Sequence, residues 1–128
     1  MIHPALRLVT WHPRGLLDII LARRVLQFVE AQERSAGEPF DRFADLSGFD
    51  TIHLSFADVE DLAESRVLSY QGPKVKSAFV AANPLAFGLA RMYEQLMRRS
   101  PIEVGVFPKL SCAAEWLNVP VEILSRAS

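Results

Sequence analysis

"VKSAFVAANPLAFGLARMYEQL", residues 75–96, is the stretch on which the fold turns. "VKSAFVAA", residues 75–82, is a short and largely apolar run of the kind that a strand buried on both faces requires. Asn83 and Pro84 then give the clearest helix start in the chain, a capping side chain followed by proline at the first helical position. Leu85, Leu89, Met92, Tyr93 and Leu96 recur at helical spacing until Ser100 and Pro101 end the helix. Gly88, inside that helix, is read as a place where another element approaches closely. A buried strand running straight into an amphipathic helix is one unit of a parallel α/β fold, and the rest of the chain is tested against it.

Downstream, "IEVGVF", residues 102–107, alternates as a strand, "LSCAAEWL", 110–117, gives a short helix, and "VPVEIL", 119–124, is expected to trail as an extended tail. Upstream, "ALRLVTWH", 5–12, suits a pleated surface and ends at a turn marked by Pro13 and Gly15, with a short second strand possible after it. Asp18 can cap the next helix, whose face carries Leu21, Val25, Phe28 and Val29 and which stops near Gly37. "EPFDRFADLSGF", 38–49, reads as a strand carrying Phe40, Phe43 and Leu46, and "TIHL", 51–54, as a short extended piece before a helix over 56–69. Strands alternating with helices, with neither repeat nor linker, imply one α/β domain over 1–128: a mixed sheet of four to five strands covered by about four helices.

Composition narrows the function classes. Half of the residues are apolar and 23% are charged, as in an ordinary globular chain. Fourteen basic and fifteen acidic residues leave a net charge of −1, so no global field steers the chain onto nucleic acid or an anionic membrane. The pairs Arg23–Arg24 and Arg98–Arg99 read as solvated helix faces. One cysteine, Cys112, excludes an internal disulfide and any metal site built on two thiolates. Asp18 interrupts the one candidate leader, "GLLDIILA", and no run approaches the eighteen or so apolar residues of a membrane helix. The expectation is a soluble, cytoplasmic protein.

The polar cluster sits in "SGFDTIHLSFADVEDL", residues 47–62. Ser55 and Asp58 have the spacing of a capping box, with an acid in the favoured first turn. His53 and Ser55, two apart on a strand, share a face, so a serine–histidine–acid reading with Asp58 exists, but no Gly-x-Ser-x-Gly elbow accompanies it. His3, His12 and His53 lack a second ligand at three- or four-residue spacing, so no metal is expected. Cys112, near a helix start, is expected to be packed rather than reactive. Neither a Walker loop nor a dinucleotide fingerprint is present, and no cofactor is expected. Asp45 and Lys109 sit where a phosphoacceptor receiver would want them, but the first turn, "TWHPRG", has no paired acids to hold magnesium. Trp11, Tyr70, Tyr93 and Trp116 are scattered without interleaved basic residues and read as packing.

This order of elements, with "FDRFADLSGF", "VKSAFVAANPLAFGLARMYEQL" and "IEVGVFPKLSCAAEWL", resembles the small STAS-like domains, in particular the SpoIIAA-like branch related to bacterial anti-sigma-factor antagonists. The similarity spans about Leu8 to Leu117. In the kinase-binding antagonists an Asp-Ser-Ser-Gly turn carries a regulatory phosphoserine; here the turn is His53, Leu54, Ser55, Phe56, and only Ser55 matches. The resemblance implies a non-enzymatic, regulatory interaction module with a protein partner or a second copy of itself as a homodimer. It puts the contact surface at His53, Ser55, Phe56 and Asp58, while the charge balance, hydropathy and missing motifs leave no nucleic acid, membrane or cofactor expected. The same broad family includes lipid carriers, which implies as an alternative a small apolar ligand or lipid held against the helix 84–99, with Phe87, Met92 and Tyr93 as a wall.

Overall fold

The computed structural model describes residues 1–125 and is α/β. Its main sheet has five strands: β1 (Ile2–His3), β2 (Leu8–Trp11), β4 (Asp41–Asp45), β6 (Val75–Val80) and β7 (Ile102–Phe107), in the order β1-β2-β4-β6-β7. β1 is antiparallel to β2, and every other pairing is parallel. A separate two-stranded parallel ribbon joins β3 (Gly15–Asp18) to β5 (Phe49–His53), with Leu17 opposite Ile52 and Asp18 opposite His53. Helices α1 (Ile19–Ser35), α2 (Phe56–Ser69) and α3 (Pro84–Leu96) make the crossovers; α4 (Leu110–Leu117) and α5 (Val121–Leu124) follow β7.

Strand alternation divides the core into two layers. Leu8, Phe43, Ala78 and Val80 point to one face, where Ala113, Ala114 and Leu117 of α4 and Leu124 of α5 cover them; Phe43, Ala78 and Leu124 are wholly buried. The neighbours in register, Val75, Phe79, Val104 and Val106, face the other way, against Ala63 of α2 and Ala90 of α3. At Gly105 a Cβ would sit 2.9 Å from the Phe107 ring and 3.1 Å from Trp116, so glycine lets α4 lie close on β7. Asn118 ends α4 in the left-handed region at φ 59°, a conformation asparagine tolerates better than most residues.

The capping signals act as their chemistry dictates. The Asp18 carboxylate accepts from the Leu21 amide at 2.9 Å, and Asn83 accepts from Leu85 at 2.8 Å and Ala86 at 3.3 Å. Four expectations are corrected. Residues 121–124 form a helical turn, not an extended tail, because burying Leu124 under the sheet favours a compact path. The segment around Phe43 is not one strand: the Asp45 side chain accepts from the Ser47 amide and hydroxyl, which folds Leu46–Gly48 into a 3-10 turn before β5. Nothing lies within 4 Å of a Cβ at Gly88, which is exposed. The buried face of α3 is Ala86, Leu89 and Ala90, whereas Leu85 and Leu96 are exposed.

Candidate functional site

The inward stripe of α1 changes character along its length. Leu21, Ala22, Val25 and Leu26, in its first two turns, line a cavity; Val29 is buried one turn later; Glu33 follows at the same spacing and meets two arginines. Hydrocarbon at one end and a carboxylate at the other give this helix two different interfaces with one face.

The cavity has a volume of about 150 Å³. On one side stand α1, Trp11 and Pro13 from the end of β2, and Leu17, Phe49 and Leu54 from the ribbon and its exits. On the other are Ala44 and Leu46, Phe79 of β6, Val59 and Leu62 of α2, and Ala86, Leu89, Ala90 and Tyr93 of α3. Of these eighteen residues, sixteen have no polar side-chain atom; Trp11 and Tyr93 are the exceptions. The wall from α2 and α3 is buried apart from Tyr93, whereas Trp11, Leu17, Leu21, Val25, Leu26, Phe49 and Leu54 on the facing side are only half-buried. The helix α1, seventeen residues long, has one buried residue, Val29. Large apolar side chains left half-buried around a cavity are uncovered surface that an apolar occupant would remove from water.

Tyr93 stands between the cavity and the charged cluster. Its ring packs edge-on against Phe79 at 5.8 Å. Burial pushes its hydroxyl up to about 12, with the Arg66 charge opposing that shift without cancelling it. Arginine only donates, so the phenolic oxygen is the acceptor toward Arg66 and its own proton stays available.

The charged cluster is a buried Arg–Glu–Arg arrangement that joins α1, β4 and α2. Arg66 is 2% exposed and reaches both oxygens of Glu33, Nη2 to Oε2 at 2.6 Å and Nη1 to Oε1 at 3.1 Å. Arg42, 5% exposed, reaches Oε2 of the same carboxylate at 2.5 Å and donates to the Phe40 carbonyl at 3.0 Å. Its guanidinium also lies over the Phe40 ring, 4.6 Å from the centroid. Burial lowers the pKa of Arg42 despite Glu33, and its Nε is buried without a partner among the described residues. For Arg66 burial also acts against the charge, but the bonds to Glu33 outweigh it and the pKa is raised. One carboxylate thus serves two cations, with Glu30 at 4.0 Å from Arg66 as the outlying second anion.

The residues singled out from the sequence fall elsewhere. Ser55 and Asp58 form a complete capping box: the serine hydroxyl accepts from the Asp58 amide at 3.0 Å and the aspartate accepts from the Ser55 amide at 3.0 Å. The Ser55 hydroxyl is therefore turned to the helix end, and among the described residues no hydrogen bond joins it to exposed His53. Phe56, next to the cap, is 69% exposed. His3 bonds Thr10 Oγ1 and His12 bonds the Leu124 carbonyl, and no group of three metal-ligating side chains exists among the described residues. Cys112 is exposed and free, not packed, because α4 turns Ala113, Ala114 and Leu117 inward. No helix among the described residues is long and apolar enough to cross a membrane.

Of the three residues expected to form a pocket wall, Tyr93 lines the cavity, while Phe87 packs into the neighbouring core and Met92 is not among the lining residues. The α1 and ribbon side has a single local signal, the apolar stripe Leu21, Val25 and Val29, which marks a helix face and does not by itself distinguish a cavity wall from a core. A second groove, of about 260 Å³ beside β1, is bordered by the exposed Arg7–Glu38 pair and has no comparable apolar lining. Comparison with protein-family models, with curated proteins and with solved structures finds no match.

Proposed function

We propose that this chain is a non-enzymatic binding domain whose site is the cleft between α1 with the β3–β5 ribbon and the α2–α3 wall, and that it holds a small apolar molecule. The observation that carries this reading is the carbon-lined cavity itself, with large side chains half-buried around it. Native mass spectrometry and solvent extraction of the protein purified from its own cells test it. The expected result is a bound neutral molecule released by extraction. Ligand-free protein, together with cavity methyl resonances that no apolar probe shifts, refutes it.

One observation favours a second reading, the regulatory interaction module with a protein partner or a second copy. Phe56 is largely exposed directly after the capped turn at Ser55, and Ile20, in the first turn of α1, is 60% exposed after the strand paired with β5. Asp18 and His53 are opposite one another, so these two apolar side chains follow adjacent strand ends. Light scattering of the purified chain tests self-association: a dimer that Phe56→Ser dissociates supports the reading, and a strict monomer counts against the homodimer. The resemblance to STAS-like domains belongs with this reading. The free thiol of Cys112 accords with a reducing, cytoplasmic setting.

A further inference from the structure

We propose, resting on the reading of the cleft as a ligand site, that its occupant is a neutral, ring-sized molecule with a single hydrogen-bond acceptor, which the Tyr93 hydroxyl meets. Three observations lead there. The first is size. A cavity of about 150 Å³ is the volume at which an apolar protein cavity accepts a molecule such as benzene, so the part of the occupant held inside this half-open cleft has on the order of six to nine heavy atoms. A sixteen-carbon chain needs roughly two to three times that space.

The second is charge. A carboxylate or phosphate buried in this cleft needs a cation, and the lining holds none; Arg66, which lies by the Tyr93 hydroxyl, already gives two donors to Glu33 at 2.6 and 3.1 Å. An anion would enter a carbon-lined space beside a satisfied ion pair and lose its hydration without compensation. The occupant is therefore uncharged, which sets fatty acids and phospholipid headgroups aside.

The third is the single polar handle. Apart from the Trp11 indole, the lining offers one hydrogen-bonding side chain, Tyr93, and its phenol is protonated throughout the physiological range. A neutral carbonyl or ether oxygen matches one donor; a molecule with several polar groups leaves the remainder unsatisfied against carbon. Phe79, edge-on to Tyr93, fixes the ring from which the hydroxyl projects.

The test uses the full chain with methyl-labelled side chains, followed by NMR with three probes: acetophenone, its alkene counterpart α-methylstyrene, and palmitate. Acetophenone and α-methylstyrene are expected to shift the methyls of Ala22, Val25 and Leu89, and palmitate is not. Tyr93→Phe keeps the ring and its contact with Phe79, and is expected to weaken acetophenone about tenfold while leaving α-methylstyrene within about twofold. Ala22→Phe, which puts a ring into the cavity from α1 and leaves Tyr93 itself unchanged, is expected to abolish both. Equal weakening of the two ring probes by Tyr93→Phe overturns the role of the hydroxyl. Palmitate binding in their place overturns the ligand class but leaves the cleft as a binding site. If none of the three probes shifts a cavity methyl, both the ligand class and the site itself are wrong. Should Tyr93→Phe not fold, the native protein decides: α-methylstyrene bound more tightly than acetophenone overturns the proposal, and the reverse order sustains it.

Discussion

Glu33→Gln removes one negative charge from the centre of the molecule and keeps the side chain's shape. In the native protein the two arginines, 2% and 5% exposed, converge on that carboxylate through contacts of 2.5, 2.6 and 3.1 Å. Without it two buried cations face each other, and only Glu30, 4.0 Å from Arg66 and nearer the surface, remains to offset them. Removing one partner of a buried ion pair costs about 3–5 kcal/mol. Glu30 and the amide that replaces the carboxylate place Glu33→Gln near the lower end, about 3 kcal/mol. A chain of this size has a stability of roughly 5–15 kcal/mol, so the variant still folds, with its urea midpoint lowered by about 1–2 M and its Tm by roughly 10 °C or more. The informative control is Glu33→Leu combined with Arg42→Met and Arg66→Met, which removes the charges together and is expected to lie within about 1 kcal/mol of the native protein or above it. Urea unfolding followed by circular dichroism measures both. A loss below about 1 kcal/mol for Glu33→Gln, or a larger loss in the apolar triple variant than in the single one, refutes the argument that the cluster is held by charge compensation.

Three further outcomes are expected. Ala22→Leu adds about three carbon groups to a half-open cavity, each worth up to ~0.8 kcal/mol if fully buried; a net gain of about 1 kcal/mol and a rise in Tm of roughly 3–5 °C should appear by calorimetry, along with loss of probe binding. Ser55→Ala removes the hydroxyl that accepts from the Asp58 amide and should cost about 1 kcal/mol in urea unfolding, whereas Ser55→Asp, also a good cap, should cost far less. The Tyr93 phenol is held at about 12 against 10.0 in an unfolded chain, so between these values the folded state binds the extra proton and stability falls as pH rises. The fall is about 2 kcal/mol between about pH 10 and pH 12; unfolding series across that window should show it, and Tyr93→Phe should flatten it, leaving a smaller slope of the same sign from Tyr70, whose pKa is also raised by burial.

What was legible in the sequence was what local chemistry dictates. Asp18, Ser55 and Asn83 each start a helix with a side-chain bond to an amide that the helix leaves unpaired, and each was readable because the partner lies within three residues. The parallel order was readable too, because β6, a largely apolar run, and β7, an alternating one, are separated by a helix with its own capping signal. The site was not. Glu33, Arg42 and Arg66 are separated by 9, 24 and 33 positions, and nothing near any of them distinguishes it from a solvated charge. Likewise the cavity is a property of spacing between elements: the same Leu21, Val25 and Leu26 would line an ordinary core if α1 sat closer to α2 and α3. Both strands of the ribbon have a local signal, "TIHL" as an extended piece and the short strand after the Pro13–Gly15 turn, but they lie more than thirty residues apart and only the assembled chain pairs them.

The two halves of α1 explain why that spacing persists. A cavity lined by aliphatic side chains ordinarily shrinks as its walls relax, and the residual volume costs about 24 cal/mol per Å³. For the α1 wall to close on α2 and α3, the helix must slide or tilt, and dispersion contacts between aliphatic groups tolerate such motion with little loss. Charged hydrogen bonds do not. Glu33 is fixed by two guanidinium groups from different elements, one on the central strand β4 and one on α2, at distances short enough that a shift of an ångström breaks them. At the other end Asp18 belongs both to the helix, as its cap, and to the ribbon, as the residue opposite His53. The helix is thus anchored to the body at Glu33 and to the ribbon at Asp18, and the apolar turns between those anchors are held away from the wall they face. On this argument the apolar triple variant, which leaves stability nearly unchanged, should still reduce the cavity: with the length-specific contacts gone, α1 is free to settle, and the ring probes should bind more weakly than to the native protein. Unchanged probe affinity in a stable triple variant would mean that the cavity is kept open by the ribbon alone.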